Sequence, residues 1–402
     1  MTSAQEIQRE ADALSDQLIT WRRGIHRRPE IGLYLPQTAA FVETALRQMG
    51  LEPSRTGGEG VTGVTAVIKG GRPGPVVLLR ADMDALPLQE KNELPYRSQT
   101  PGTAHMCGHD THTAMLLGAA SILATHAEEL CGSVKLMFQP GEEGYNGAAR
   151  MIEDGLLENP RVDAAIAMHC LTGSAWKTGT ILCAIDGKAK ASSDTFHIMV
   201  IGKGTHGATP ELGTDVIYML SHIAEGLYAI RSRELSSFIP AILSVCQIHA
   251  GSVDNILPES GVLSGTFRTF DEKTQALIRR RIVEISEAAA SAFGGKAEVQ
   301  FGESLRPTLN DRAVSDSVFS YVRELCGEDL TAVIGPVMGA EDFSEVAHKV
   351  PSVYLDVSFG SAEEGYPYAV HSPYCVFNEQ ALPRGAACYA YCAMRWLEEH
   401  CD

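Results

Sequence analysis

The sequence predicts an α/β catalytic domain with a mostly parallel central sheet flanked by helices, interrupted by an inserted α+β domain of ferredoxin-like βαββαβ order. Three observations predict it. Apolar runs at Val61–Ile68, Pro75–Leu79, Val134–Phe138 and Val162–Met168 lack polar alternation, as strands buried on both faces of a sheet do. Near Gly187 the pattern changes, and Thr195-Phe-His-Ile-Met-Val-Ile201 alternates as a half-exposed strand. After Pro307 the first pattern resumes, so the second domain is inserted into the first.

In chain order, residues 4–27 and 37–49 read as amphipathic helices, the second closed by Gly50 as a C-cap. The apolar runs follow as strands, with a helix over 113–127 between the second and third. The insert reads as strand 195–201, helix 214–233, strands 241–249 and 261–270, helix 272–294 and strand 296–301. Strands near 331–335 and 352–357 and a helix over 383–399 complete the first domain. The expected boundaries are therefore 1–187 and 306–402 for the catalytic domain and 188–305 for the insert.

A chain of 402 residues exceeds one ordinary core. A hydrophobic content of 45% with 21% charged residues is that of a globular protein. The net charge of −17, with no basic stretch, argues against a nucleic-acid partner. No apolar run approaches the ~20 residues of a membrane span. The polar start, Met1 to Glu10, lacks the apolar core of a signal peptide. Ten irregularly spaced cysteines then read as free thiols in a reducing, cytoplasmic setting. Cys388 and Cys392 stand in an i, i+4 packing relation. Cys107 alone has neighbours expected to favour a thiolate.

The chemistry concentrates in two short segments. Residues 105–113 read His-Met-Cys-Gly-His-Asp-Thr-His-Thr, and Gly141-Glu-Glu-Gly144 follows the apolar run that ends at Phe138. Thiolate, imidazole and carboxylate together suit a divalent transition metal rather than calcium or magnesium. His169 and His371 stand at the ends of two further apolar runs, and sites that converge at strand ends are how α/β proteins build a binding centre. Cys107, His109, His169, His371 and one of the two glutamates make five ligands, too many for one tetrahedral ion and suited to a pair. The other glutamate is then free to act as a base. The competing reading is a polar loop of His105, His109 and His112 that opens a helix, with Asp110 as its N-cap.

Blocks along nearly the whole chain carry a resemblance. They are Ile25-His-Arg-Arg-Pro-Glu-Ile-Gly32, Leu79-Arg-Ala-Asp-Met-Asp-Ala-Leu-Pro87, His105-Met-Cys-Gly-His-Asp-Thr-His112 and Phe138-Gln-Pro-Gly-Glu-Glu-Gly144. Further on come Gly204-Thr-His-Gly-Ala-Thr-Pro210, Asn255-Ile-Leu-Pro258, Gly265-Thr-Phe-Arg-Thr-Phe270, Gly339-Ala-Glu-Asp-Phe-Ser344 and His371-Ser-Pro373. The chain resembles the metal-dependent amidohydrolases that include hippurate hydrolase, N-acyl-amino-acid aminoacylases and plant indole-3-acetyl-amino-acid hydrolases. These belong to the wider aminoacylase and carboxypeptidase superfamily.

The resemblance implies that Cys107, His109, Glu143, His169 and His371 bind two divalent ions, drawn from zinc, manganese, cobalt or nickel. It implies Glu142 as general base, with Asp82 and Asp110 behind the ligands, orienting an imidazole. In the insert, which the resemblance makes a lid and dimer contact, His206 would stabilise the oxyanion in a partner subunit's site, consistent with a homodimer or higher homo-oligomer. Asn255 lies in the same domain. Arg268 could clamp a substrate carboxylate or be an ordinary strand charge. The implied substrate is a small N-acyl amino acid.

Three segments depart from the family pattern: His169-Cys-Leu-Thr-Gly-Ser-Ala-Trp176, Thr209-Pro-Glu-Leu-Gly213 with Glu211 in place of a second histidine, and Tyr374-Cys-Val376. None removes a presumed ligand or the base, but they flank the expected pocket and leave substrate choice open. A dipeptidase or carboxypeptidase with the same site is the nearest rival. A metal-independent hydrolase with Cys107 as nucleophile and a non-catalytic binding protein are rivals of other classes.

Overall fold

The computed structural model describes residues 2–185 and 187–401. Along the chain run α1 Ala4–Ala13, α2 Ser15–His26, α3 Pro36–Gln48, β1 Ser54–Thr56, β2 Gly63–Lys69, β3 Arg72–Asp82, α4 His109–Thr125, β4 Cys131–Gln139, α5 Gly147–Glu153, β5 Ala164–Leu171 and β6 Ile181–Cys183. Next are β7 Lys188–Lys190, β8 Ser193–Ile201, β9 Thr205–His206, α6 Val216–Ala229, β10 Ala241–Ala250, β11 Ile256–Leu257, β12 Ser260–Thr269, α7 Glu272–Ala292 and β13 Lys296–Leu305. The chain ends with β14 Thr308–Leu309, α8 Arg312–Cys326, β15 Thr331–Val333, α9 Ser344–Ala347, β16 Ser352–Ser358 and α10 Leu382–Glu399. These form two compact units: Met1–Ala189, Leu309–Gly335 and Glu345–Asp402 make one, and Lys190–Thr308 with Pro336–Ser344 make the other.

The first unit carries an eight-stranded sheet in the order β1-β2-β4-β3-β5-β16-β6-β15. The central strands β4, β3, β5 and β16 are mutually parallel, whereas β1, β2 and β6 join antiparallel. The middle of β3 is buried from Val76 to Ala81, which is why the run shows no alternation. Because β4 and β5 lie on opposite sides of β3, the strand order reverses there. The carboxyl ends of strands at such a reversal open a crevice.

Helix α4 packs on α2, α10 and the sheet. A Cβ on Gly118 would stand 2.6 Å from Leu18 Cδ2 and 2.9 Å from Ala386 Cβ, so that position lets three helices approach closely. Two expectations change. The helix expected over 4–27 is two helices, because at Leu14 the chain tightens and one N–H is shared between the carbonyls of Glu10 and Ala11. The helix expected from 113 begins at His109, with Gly108 before it at φ 87°, so His109 and His112 occupy its first turn.

The cysteine expectation is also corrected. Cys131, opening β4, and Cys401, just past α10, form a disulfide with Cα atoms 5.8 Å apart. The two lie 270 residues apart, and only folding brings the last helix beside β4. The cysteine argument for a reducing compartment falls with it. Eight cysteines are free, and Cys388 Sγ lies 3.9 Å from Cys392 Sγ as a packing contact.

The second unit has a four-stranded antiparallel sheet in the order β10-β12-β8-β13. Its βαββαβ elements are β8, α6, β10, β12, α7 and β13. Phe196, Ile198 and Val200 point into a core with Leu263, Phe267, Ile223 and Ile282, while Thr195, His197, Met199 and Ile201 face outward. A short ribbon of β9 and β11 pairs His206 with Ile256. Among the described residues no helix is long and apolar enough to cross a membrane.

Candidate metal centre

Four loops and strand ends at the carboxyl side of β3, β4 and β5 supply the donors. Cys107 and His109 bracket Gly108, where a Cβ would lie 2.2 Å from Cys170 Sγ. That position must be glycine for the turn to pass so close to β5. Glu142 and Glu143 follow β4, His169 sits in β5, and His371 comes from a turn near the C-terminus at φ 67°. Its left-handed backbone is held by an N–H donated to Met106 O at 2.7 Å.

The atoms that could bind a metal converge. Cys107 Sγ is 3.3 Å from His169 Nε2 and 3.2 Å from His371 Nε2. His371 Nε2 is 3.3 Å from Glu143 Oε1. His109 Nε2 lies 3.9 Å from Glu142 Oε2, 3.9 Å from Glu143 Oε1 and 3.7 Å from Asp82 Oδ2. Among the overlapping donor groups whose ligand atoms lie within 4.8 Å of one another are Cys107, His109 and His169; Cys107, Glu143 and His371; and His109, Glu142 and Glu143.

The histidines are oriented from behind. His169 Nδ1 donates to Cys170 O at 2.7 Å, which leaves the Nε2 lone pair facing Cys107. His109 Nδ1 stands 3.3 Å from Asp84 Oδ1. Its buried Nε2 makes no hydrogen bond and faces carboxylate oxygens, an arrangement that a cation would complete. His112 is different. Its Nε2 accepts the N–H of Cys170 at 2.8 Å and its Nδ1 donates to Asp82 Oδ1 at 2.5 Å, so no lone pair remains for a ligand role.

Electrostatics point the same way. Burial lowers the His109 pKa, but the carboxylates of Asp82 and Asp84 outweigh it and raise it to about 10. Burial works against ionised Glu143 and Asp82, yet His371 and His109 pull the first below its ordinary value, and His109 with Arg80 pulls the second well below. Cys107 corrects an expectation. Burial, then Glu143 and Glu142, pushes its thiol well above the usual range, so the protein's own groups do not make it a thiolate. The donor set of one thiol, three imidazoles and paired carboxylates fits borderline divalent ions, and a bound ion would deprotonate the thiol.

The remaining expected residues have other partners. Asp82 pairs with Arg80 at 2.9 Å and with His112. Asp110 does not orient a ligand imidazole: its Oδ2 meets Arg22 Nε at 2.7 Å and His26 Nδ1 at 2.8 Å, because the first turn of α4 points it toward α2. In the second unit, Asn255 O accepts the N–H of Gly207, beside exposed His206. Arg268 is half-buried, donates to Met338 O at 3.3 Å and has no ion-pair partner among the described residues. Sequence reasoning passed over Asp84, whose two oxygens accept the N–H groups of Glu142 and Glu143, both at 3.0 Å. Its place in the quoted Leu79–Pro87 block was the available signal.

A mostly parallel sheet that gathers thiol, imidazole and carboxylate donors at its switch point is a framework suited to a metal-dependent hydrolase, and the family match places the chain in that class. Residues 78–395 match the model of peptidase family M20/M25/M40, and the chain belongs to that family. It is 36% identical over 388 residues to IAA-amino acid hydrolase ILR1-like 4 of Arabidopsis thaliana, covering 96% of this chain and 86% of that one. It is 34% identical over 402 residues to thermostable carboxypeptidase 2 of Saccharolobus solfataricus, covering 98% and 99%. The crystal structure of the Bacillus subtilis YXEP protein, a dinuclear metal binding peptidase from the M20 family, aligns with a TM-score of 0.82 at 30% identity, covering 96% of this chain and 99% of that one.

Proposed function

We propose that the protein hydrolyses the amide of N-acyl amino acids, hippurate-like or other acyl and aryl conjugates, to a carboxylic acid and a free amino acid. Cys107, His109, Glu143, His169 and His371 hold two divalent ions, zinc, manganese, cobalt or nickel, and Glu142 is the general base. The observation that carries this reading is the convergence of five donor side chains from four separate segments, with a second carboxylate left beside them.

When bound, the ions polarise the amide carbonyl and acidify a water. Glu142 accepts that water's proton and returns it to the leaving nitrogen. Asp84 fixes the start of the Glu142 side chain by holding its N–H. His206 Nδ1 accepts the N–H of Ala208 at 3.0 Å, so the neutral ring carries its proton on Nε2, ready to donate. In a homodimer whose inserted domain, 188–305, is lid and subunit contact, that donor stabilises the oxyanion in the partner subunit's site. Arg268 pairs with the substrate carboxylate, and Asn255 contacts substrate beside His206.

A dipeptidase or carboxypeptidase reading is favoured by the names of the Saccharolobus solfataricus relative and of the Bacillus subtilis structure. One experiment separates the readings. Protein stripped by a chelator and reloaded with each of the four metals is assayed on N-acetyl and N-benzoyl amino acids and on matched dipeptides. Loss and recovery of turnover on the N-acyl series is expected. Faster turnover of dipeptides transfers the assignment to the peptidase reading, and full turnover without metal overturns both in favour of a Cys107 nucleophile.

A further inference from the structure

Strands β3 and β5 are paired from Val77↔Ala164 to Arg80↔Ala167, and there their ladder stops. Neither strand ends at that point. β3 runs on beside β4 to Asp82↔Gln139, and β5 runs on beside β16 to Leu171↔Ser358. The sheet therefore forks between two parallel strands. Past the fork stand Asp82 on one branch and His169 on the other.

A single hydroxyl sits at the fork. Tyr389, fully buried in α10, donates its O–H to Arg80 O at 2.5 Å and accepts the N–H of Met168 at 2.8 Å. In a parallel ladder the amide one residue beyond Ala167 is the natural donor to the carbonyl of Arg80. Tyr389 thus satisfies both halves of that rung from a neighbouring helix. Without it the two groups would either pair directly, drawing the branches together, or remain buried and unsatisfied.

We propose that Tyr389 is a positioning residue for the metal centre: its hydroxyl terminates the β3–β5 ladder and holds the branches apart so that His169 and the Asp82–His112 pair reach their places. His169 follows Met168 directly, and Asp82 lies two residues beyond Arg80. His112 spans the gap, held by Asp82 Oδ1 on one branch and the N–H of Cys170 on the other. The spacing of the fork therefore sets where His169 presents Nε2. This inference rests on the metal reading of the site, but its first test does not.

That test is amide hydrogen exchange. In Tyr389→Phe the exchange rate of the Met168 amide should change at least about tenfold, faster where the rung is left open and slower where the branches close, while amides along the outer β4–β2 ladder keep their rates; a uniform change, or none, overturns the wedge. The second test is affinity for zinc alone, measured against a competing chelator. Tyr389→Phe should weaken it by about 10- to 100-fold, as loss of support behind a ligand does. Tyr391→Phe, on the same helix as Tyr389, removes a hydroxyl bonded to Glu324 of α8 and should leave it unchanged. Equal affinity in Tyr389→Phe and wild type overturns the proposal, as does equal loss in both variants. Should Tyr389→Phe not fold, apo wild-type protein serves: Met168 must stay protected without metal, and loss of protection overturns a preformed fork. Wild-type protein that binds no zinc while Met168 behaves as expected sinks the metal reading and not the wedge.

Discussion

Two buried clusters of acids and histidines flank the segment from His105 to His112, and they are built oppositely. On one side Arg22 donates to Asp110 and Glu379, and His26 bridges Asp110 and Glu90. Tyr96 lies under the Arg22 guanidinium at 4.8 Å. On the other side Asp82, Asp84, Glu142 and Glu143 crowd round His109, and the guanidinium that reaches them, Arg80, is engaged by Asp82 and Gln139. The residue types are nearly the same. What differs is the company the carboxylates keep: in the second cluster they share their space with a thiol and further imidazoles. A buried carboxylate needs a partner; where Arg22 closes the cluster it is framework, and where carboxylates converge with imidazoles and a thiol the cluster carries the donors of a metal centre.

The largest effect that can break this contrast is on the open cluster. Glu142→Gln should lower kcat by about 10²–10⁴ and leave metal content near wild type by atomic absorption. Glu143→Gln and Cys107→Ala should instead lose metal. If the first variant loses metal and Glu143→Gln keeps it, the two glutamates have exchanged roles.

The closed cluster should respond in stability. Arg22→Met removes the guanidinium from the fully buried Asp110 carboxylate and leaves it beside His26, which typically destabilises by about 3–5 kcal/mol, read as a fall in denaturation midpoint. Metal bound per folded chain should hardly change. A variant of wild-type stability that has lost its metal would show that the guanidinium belongs to the centre after all.

How much of this was legible in the sequence follows from the range of the interactions. The donors could be read because each closes an apolar run or sits in a short dense motif, and strand ends converge by topology. The sheet could be read because its central strands are apolar throughout. Asp84 was in view but its role was not, since it acts on backbone N–H groups 58 and 59 residues away. Asp110 was read by its neighbour His109, whereas helical geometry turns it to Arg22. The Cys131–Cys401 disulfide and the Tyr389 bridge depend on where the last helix docks, and no local pattern carries that.

A further variant asks whether the open cluster completes its own site. His206→Ala should lower kcat by roughly 10²–10³, comparable to losing one oxyanion donor, with metal content unchanged. Mixing it with Glu142→Gln should restore part of the activity if the histidine serves a partner subunit. No recovery, with subunit exchange shown by mass spectrometry, confines the histidine to its own chain or removes it from the reaction.

The smallest effect comes from the same acid–histidine chemistry moved to the surface. His126 Nε2 lies 3.0 Å from Glu10 Oε1 and its Nδ1 2.8 Å from Glu129 Oε1, which ties α1 to the end of α4. Partial burial lowers its pKa, but Glu129 and Glu10 outweigh that and raise it above the ordinary value. A group whose pKa rises on folding stabilises the native state fully below its unfolded pKa near 6.5 and loses that contribution as pH climbs through the raised folded value. Glu129, pulled down by His126, stays ionised through this window. Water screens the pair, so its worth should be under about 1 kcal/mol. Wild type should therefore be more stable than His126→Gln at pH 5.5, with the gap in Tm narrowing toward pH 8.5 and in 1 M salt. A gap that widens with pH would mean the imidazole acts as a neutral acceptor. The rule drawn from the two buried clusters, that carboxylates seek the nearest cation, would then not reach the surface.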